Sequence, residues 1–318
     1  MRLFQEDQAI LANASIPIHA PSRHSSLAEF DAPVKIPPIT SNRSFWSSPS
    51  FPGSSSSRSS QSSSFSSPTQ CLTKAWNITK DAYGQKNRQW APDPVNPGER
   101  TLQITYPSGS SNPGGHVVGG TGMYAQPLVL APNQPTWMQY QVYFDPKFDF
   151  VKGGKLPGLF GGHPSCSGGN SAEDCFSARL MFREKGMGEA YIYIPKSARR
   201  NHCGSHPPPK SICNPEYGDS LARGSFSFDR GAWNTVTLYL QPNTPGKQNG
   251  GIKLWHNGVK ALDYSGIMWR KQGGVDVKGM SFETFFGGNG KEWETKSTVH
   301  SYFKDIKLGQ LHVSNGEQ

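Results

Sequence analysis

The sequence predicts an all-β protein, a β-sandwich of jelly-roll type with a disordered N-terminal tail. Three observations carry that prediction. The 318 residues hold 35 glycines and 26 prolines, and 11% of them are aromatic. Apolar side chains recur at alternate positions in short runs instead of at helical spacing. Gly-, Pro- and Asn-rich stretches separate those runs.

Residues 1–70 are expected to form the tail or linker. Fifteen serines fall in positions 44–67, and the forty residues before them have little periodic apolar pattern. Such a composition buries too little surface to offset chain entropy. The folded domain is expected over 71–318. Its candidate strands are "TLQITY" (101–106), "WMQYQVYF" (137–144), "FSARLMFR" (176–183), "AYIYI" (190–194), "GSFSF" (224–228), "WNTVTLYL" (233–240), "GIKLWHNG" (251–258), "MSFETFFGG" (280–288) and "YFKDIKLGQLHV" (302–313). Nine strands over this length fit two stacked sheets. Asn257-Gly258 marks a tight hairpin turn.

Alternation within two of these strands has functional content. Side chains of a strand point to opposite faces in turn. "FSARLMFR" therefore places Ser177, Arg179, Met181 and Arg183 on one face, with Phe176, Ala178, Leu180 and Phe182 on the other. "AYIYIP" separates Tyr191 and Tyr193 from Ile192 and Ile194. A hairpin connecting the two strands would set both polar faces side by side; the plain alternative is a solvated sheet face.

The formal net charge is +9. Five Lys/Arg and four Asp/Glu lie in residues 1–70, which leaves 27 and 19 in 71–318. The basicity thus belongs to the folded part and suits an anionic partner. No dense Lys/Arg run or basic helical stripe occurs, so a nucleic-acid arm is not expected. No stretch approaches the roughly 20 apolar residues of a membrane span.

Five cysteines stand at 71, 166, 175, 203 and 213. Pairs 166/175 and 203/213 would each close a short loop, as disulfides of exported proteins do, leaving Cys71 over. A zinc set of His202, Cys203, His206 and Cys213 is the competing reading, but "HCGSHPPPKSIC" lacks paired close spacing and is broken by prolines. The N-terminus "MRLFQEDQAILANASIPIHA" carries acidic residues where a signal peptide has its apolar core. The cysteines predict export and this N-terminus shows no recognisable signal peptide.

The stretch "VKGGKLPGLFGG" (151–162) is glycine-rich around Lys152 and Lys155 and is expected to be a turn. It does not fit a phosphate loop, which needs a glycine where Asp149 stands and Ser or Thr where Leu156 stands. Carboxylate pairs for hydrolysis are also missing: Glu173-Asp174 fall in a loop, and Glu184 and Glu189 flank a turn. No nucleophile elbow is present. What remains is a lysine, a Ser-x-Arg pair and a Tyr-x-Tyr pair. β-Elimination on a uronic-acid polymer needs such a set, with cations and hydroxyls to neutralise the uronate carboxylate and Lys or Tyr to move protons once neighbouring positive charge lowers their pKa values.

The segments "FDFVKGGKLPGL", "CFSARLMFR", "GEAYIYIP", "YGDSLARGSF" and "ETFFGG" resemble polysaccharide lyase family 14, the alginate and glucuronan lyases of molluscs and an algal virus, with fungal members among which this chain is placed. The resemblance implies a β-jelly roll acting on a polyuronate, alginate or glucuronan, by β-elimination; no cofactor or metal is expected, because protein cations can neutralise the carboxylate. It implies catalytic roles for Lys155, Tyr191 and Tyr193 and carboxylate binding by Ser177 and Arg179. Cys166 with Cys175 and Cys203 with Cys213 also fall where the mollusc enzymes place disulfides. Lys152 and His116 are further substrate-binding candidates, although Lys152 reads more readily as a solvated turn residue and His116 fits a structural or solvent role at least as well. His163, Trp255 and Trp293 are candidates for sugar contact, and Asn77 in "NIT" is a possible glycan acceptor in an exported chain. The expected partner is an acidic polysaccharide, with the protein acting as an extracellular monomer. A non-catalytic lectin-like binder of acidic polysaccharide is the alternative.

Overall fold

The computed structural model describes residues 43–51, 68–198 and 211–311. Sixteen strands among them form two antiparallel sheets of jelly-roll type. The first runs in the order β14 (Val259–Ile267), β13 (Gly250–His256), β12 (Trp233–Gln241), β6 (Thr136–Phe144), β16 (Val299–Leu311), β4 (Arg100–Tyr106) and β3 (Arg88–Pro92), with β1 (Arg43–Ser47) also paired to β16. The second runs β10 (Ser211–Ile212), β11 (Asp219–Leu221), β9 (Gly188–Tyr193), β8 (Phe176–Arg183), β7 (Gly153–Gly161), β15 (Val277–Phe286), β5 (Thr121–Ala125) and β2 (Ile78–Tyr83). The helix α1 (Pro68–Ala75) precedes β2.

Alternation places one face of each sheet in a shared core. Met138, Tyr140, Val142 and Phe144 of β6 meet Leu180 and Phe182 of β8 and Leu156 and Leu159 of β7 in a single buried cluster. Two hydroxyls stitch the layers. Tyr106 Oη bonds Thr284 Oγ1 at 2.5 Å and Ser301 Oγ at 2.8 Å. Tyr140 Oη donates to the Pro157 carbonyl at 3.2 Å. Between β6 and β7, Phe148 packs against Phe144 and Phe286 with ring centroids 4.8 and 5.3 Å away.

Three expectations change. The chain before Cys71 is not wholly a tail: β1 pairs with β16 from Arg43↔Leu311 to Ser47↔Lys307. Trp46 packs edge-on to Trp76, and the buried Phe51 lies on Trp90. Trp46 and Phe51 sit within the serine-rich stretch, and their packing on Trp76 and Trp90 holds this part of it against the domain. The remaining tail positions 1–42 and 52–67 lie outside the described residues. "GSFSF" is not a strand; Ser227 makes an isolated bridge to Met187, because Ala222 and Gly224 at φ 55° and 75° turn the chain just before it.

The third change concerns "VKGGKLPGLFGG". Only its first residues turn, with Val151 at φ 50°, and the rest is β7 in mid-sheet between β8 and β15. Its glycines are required by neighbours that leave no space. A Cβ at Gly154 would lie 2.2 Å from Phe182 Cζ, and one at Gly158 would lie 2.0 Å from the Ala178 carbonyl oxygen. Pro157 sits where the pairing with β8 shifts between Leu156 and Leu159, so its missing N–H breaks no ladder bond. Asn257-Gly258 forms the expected hairpin turn, with φ of 49° and 83°.

Phe148→Ala should lower stability by about 3–5 kcal/mol, because the surrounding rings cannot close the space. Denaturant unfolding measures this; a loss below about 1 kcal/mol would mean that the cluster collapses around the gap.

Candidate functional site

The outward face of the second sheet carries the site. In the β8–β9 hairpin Ser177 stands opposite Tyr193, Arg179 opposite Tyr191 and Met181 opposite Glu189. On the other side of β8, Met181 is opposite Lys155, which faces Phe285 of β15 in turn. Met181, Tyr191 and Tyr193 form a second buried cluster with Cys166, Ala172 and Cys175, separate from the inter-sheet core. Alternation thus brings Lys155, Ser177, Arg179, Tyr191 and Tyr193 onto one face.

Lys155 is half-buried, and its Nζ lies 4.5 Å from the Tyr191 ring centroid and 5.7 Å from that of Phe285. Gly287 leaves room for it: a Cβ there would approach Nζ to 3.3 Å. Burial, followed by the charges of Arg179 and Arg183, holds the Lys155 pKa well below the ordinary lysine value. Tyr191 behaves oppositely. Burial and the hydrogen-bonded Tyr193 raise its pKa, outweighing Arg179 and Arg183. The expectation that nearby cations would lower both kinds of group therefore holds for the lysine and fails for this tyrosine, which stays a neutral phenol. Tyr191 Oη accepts the Gly218 N–H at 3.1 Å, and Tyr193 Oη accepts that of Gly169 at 3.4 Å. The two rings meet edge-on at 5.8 Å.

Arg179 is 2% exposed. Its Nη1 donates to Glu283 Oε2 at 2.9 Å, and the same oxygen accepts from Tyr124 Oη at 3.1 Å and Ser281 Oγ at 3.0 Å. Burial opposes the guanidinium charge, but Glu283 and the tyrosines outweigh it and raise the pKa. Burial and then Glu283 push Tyr124 up to about 12. Arg179 Nε and Nη2, the donors along one edge of the guanidinium, are buried without a partner. An edge of two parallel N–H groups matches a carboxylate.

Ser177 directs its hydroxyl to the Cys166 carbonyl at 2.9 Å, anchoring the loop that the Cys166–Cys175 disulfide closes. Cys213 is also disulfide-bonded, while Cys203, His202 and His206 lie outside the described residues. A disulfide removes Cys213 from the zinc set. Cys71 has a free thiol. Among the described residues one grouping, His163, Asp174 and Cys175, has metal-ligand proximity, but the Cys175 sulfur is bonded to Cys166 and offers no thiolate.

The other candidates lie at the edge or apart. Lys152 is exposed, 3.8 Å from Glu292 and 5.8 Å from the Trp293 ring. Trp293 covers Gly288, next to the Gly287 that accommodates Lys155. His116 is exposed on the loop between β4 and β5, and that loop is tied to Gly288 by Asn112 at 3.3 Å. His163 is exposed and pairs with Asp174 at 3.1 Å. Trp255 lies on β13 in the other sheet. Asn77 is exposed, and its Nδ2 donates to the Gln126 carbonyl at 3.0 Å.

Sequence reasoning missed Glu283, Tyr124 and Ser281, which hold Arg179, and treated Glu189 as a turn residue. Glu189 is fully buried on β9 and clamped by Arg183 at 2.6 Å and Arg223 at 2.7 Å. The alternation in "MSFETFF" could have exposed Glu283, since its neighbours Phe282 and Thr284 face the core.

A two-sheet jelly roll with three arginines, a lysine and two carboxylates beside paired tyrosines defines a carbohydrate-active sandwich suited to acidic sugars. Comparison with known proteins makes the family definite. The model of the polysaccharide lyase 14 family matches residues 94–306. The structure of a marine PL-14 alginate lyase from Aplysia kurodai is 31% identical, with a TM-score of 0.68 over 83% of this chain and 97% of that one. The alginate lyase vAL-1 from Chlorella virus is 25% identical, with a TM-score of 0.64 over 77% and 97% of the two chains. Exolysin of Paramecium bursaria Chlorella virus 1 is 25% identical over 194 residues, 54% of this chain but 29% of exolysin. The chain thus spans less than a third of that curated relative. It belongs to the polysaccharide lyase 14 family.

Glu283→Ala should destabilise the fold by about 3–5 kcal/mol by leaving the Arg179 charge buried and unpaired. Thermal unfolding checks this, and a melting temperature equal to that of the parent would mean that the pair contributes nothing.

Proposed function

We propose that this protein cleaves a polyuronate, alginate in the first instance, by β-elimination, leaving unsaturated uronate ends. The observation that carries the proposal is the unpartnered, buried Nε/Nη2 edge of Arg179, within the same cluster as a lysine of depressed pKa and a neutral phenol. The names of the Aplysia and Chlorella virus relatives, both alginate lyases, support the choice of polymer.

In this reading Arg179 binds the carboxylate of the reacting uronate through two parallel N–H bonds. That neutralisation makes the C5 proton removable, because charge moves onto the carboxylate as the carbanion develops. The neutral Lys155 amine takes the C5 proton. The electron pair left behind forms the C4–C5 double bond as the C4–O4 bond breaks. Tyr191, with Tyr193 hydrogen-bonded to it, supplies the proton that O4 needs to depart. Ser177 fixes the disulfide loop that borders Tyr193. Lys152 and His116 stand where a longer chain would pass over the rim. The residues required are all on this chain, so no cofactor enters the scheme. The disulfides favour an extracellular setting, and among the described residues no helix is long and apolar enough to cross a membrane.

Incubation with polymannuronate, polyguluronate and polyglucuronate, followed by ultraviolet absorbance of unsaturated ends, tests the activity and ranks the substrates. Binding with no absorbance change on any of the three would make the protein a lectin-like binder instead. Lys155→Ala and Tyr193→Phe should each lower kcat by about 10²–10⁴-fold with the melting temperature retained; full activity in either variant removes that residue from the mechanism. The pH profile follows from the Lys155 shift. A base must be unprotonated, so kcat/KM should climb as pH rises through the lowered lysine pKa and level off well before an ordinary lysine would titrate. A rate that falls over that interval would make Lys155 the acid.

A further inference from the structure

Beyond Lys155 the same face carries a second cationic cluster that the scheme above does not use. Glu189 Oε1 accepts from Arg183 Nε at 2.9 Å and Nη2 at 2.6 Å, and its Oε2 accepts from Arg223 Nε at 2.7 Å. Ser220 Oγ donates to Glu189 at 2.9 Å and accepts from Arg183 Nη2 at 3.2 Å and Arg223 Nη2 at 3.0 Å. Burial opposes the Glu189 charge, but the two guanidinium groups hold its pKa below the ordinary value. One carboxylate therefore faces two guanidinium groups, and the cluster keeps a net positive charge.

Both arginines reach solvent, with side-chain exposures of 14% and 25%. Nη1 of each makes no hydrogen bond within the described residues. The cluster lies next to the proposed reaction centre: Ser220 is opposite Tyr191 in the β9–β11 ladder, and the Arg183 charge acts on both Lys155 and Tyr191. Arg179 and Arg183 are four residues apart on β8, about 13 Å along the strand. One sugar ring cannot place its carboxylate at both. A chain of uronates can.

We propose that Arg183 and Arg223, held rigid by Glu189 and Ser220, form a second carboxylate-binding subsite that takes a uronate two or three units along the same polymer. The reading rests on the polyuronate function above and adds the requirement for an oligomer. A guanidinium already fixed by two hydrogen bonds loses little freedom on binding. Its charge also remains only partly offset.

The test is a binding titration, independent of cleavage, with a monouronate and with tetramannuronate at low salt. Arg223→Gln should weaken tetramer binding roughly tenfold or more, leave monouronate binding unchanged, and flatten the salt dependence of tetramer affinity. Arg223→Lys keeps the pair with Glu189 but not the fork. It should retain the salt dependence and lose only part of the affinity, which keeps the test open if the Gln variant folds poorly. Parental tetramer affinity in Arg223→Gln, or equal losses for monomer and tetramer, overturns the subsite, as does a parent protein that binds neither. Tetramer binding that follows this pattern in a protein that produces no unsaturated ends sustains the subsite and removes the lyase reading.

Discussion

A guanidinium held out of water at the centre of a sheet face constrains everything around it. Burying Arg179 among tyrosine rings is tolerable only because Glu283 sits 2.9 Å away and is itself steadied by Tyr124 and Ser281. That pairing uses one end of the guanidinium and leaves the other edge without an acceptor. The same charge helps lower the Lys155 pKa, while the dry surroundings that make it effective raise that of Tyr191. Burial, with this cation and Arg183 added, thus gives an amine that loses its proton early beside an anion-seeking edge. The desolvation around it keeps the neighbouring phenol neutral.

The backbone that makes this possible is the glycine-rich strand β7. Its neighbours approach so closely that side chains at Gly154 and Gly158 would collide with Phe182 and with the backbone of β8. The pairing shift at Pro157 is fixed from the opposite sheet by Tyr140, whose hydroxyl bonds the Pro157 carbonyl. Lys155 is therefore placed by the inter-sheet core as much as by its own strand. A site on a packed central strand holds its geometry better than one on a loop.

The face is also graded. At one end Arg179 is paired through Nη1 with a single carboxylate and hidden. At the other, two arginines share Glu189 and remain open to solvent. An extended polyanion laid across such a face meets exposed charge at one place and buried, directional donors at another. In the proposed reading, exposed charge speeds capture and buried donors hold the reacting unit.

The sequence by itself determined the fold class, because period-two alternation is a local property: "FSARLMFR" and "AYIYIP" already separate Arg179 and the tyrosines from the core residues that anchor them. It also placed the Asn257-Gly258 turn, since few other pairs accept two positive φ values. Motif resemblance then brought Lys155, Ser177, Arg179, Tyr191 and Tyr193 together in one site, and alternation in the structure sets them on one face. Tertiary structure decided the rest. Glycines that look like a turn became the strand β7, because close approach of neighbours is invisible from one segment alone. Glu283 and Glu189 became counter-charges only when strands distant in sequence met. Whether a nearby cation or burial sets a tyrosine's pKa depends on how much water the packing leaves, and that is a property of the assembled sheets.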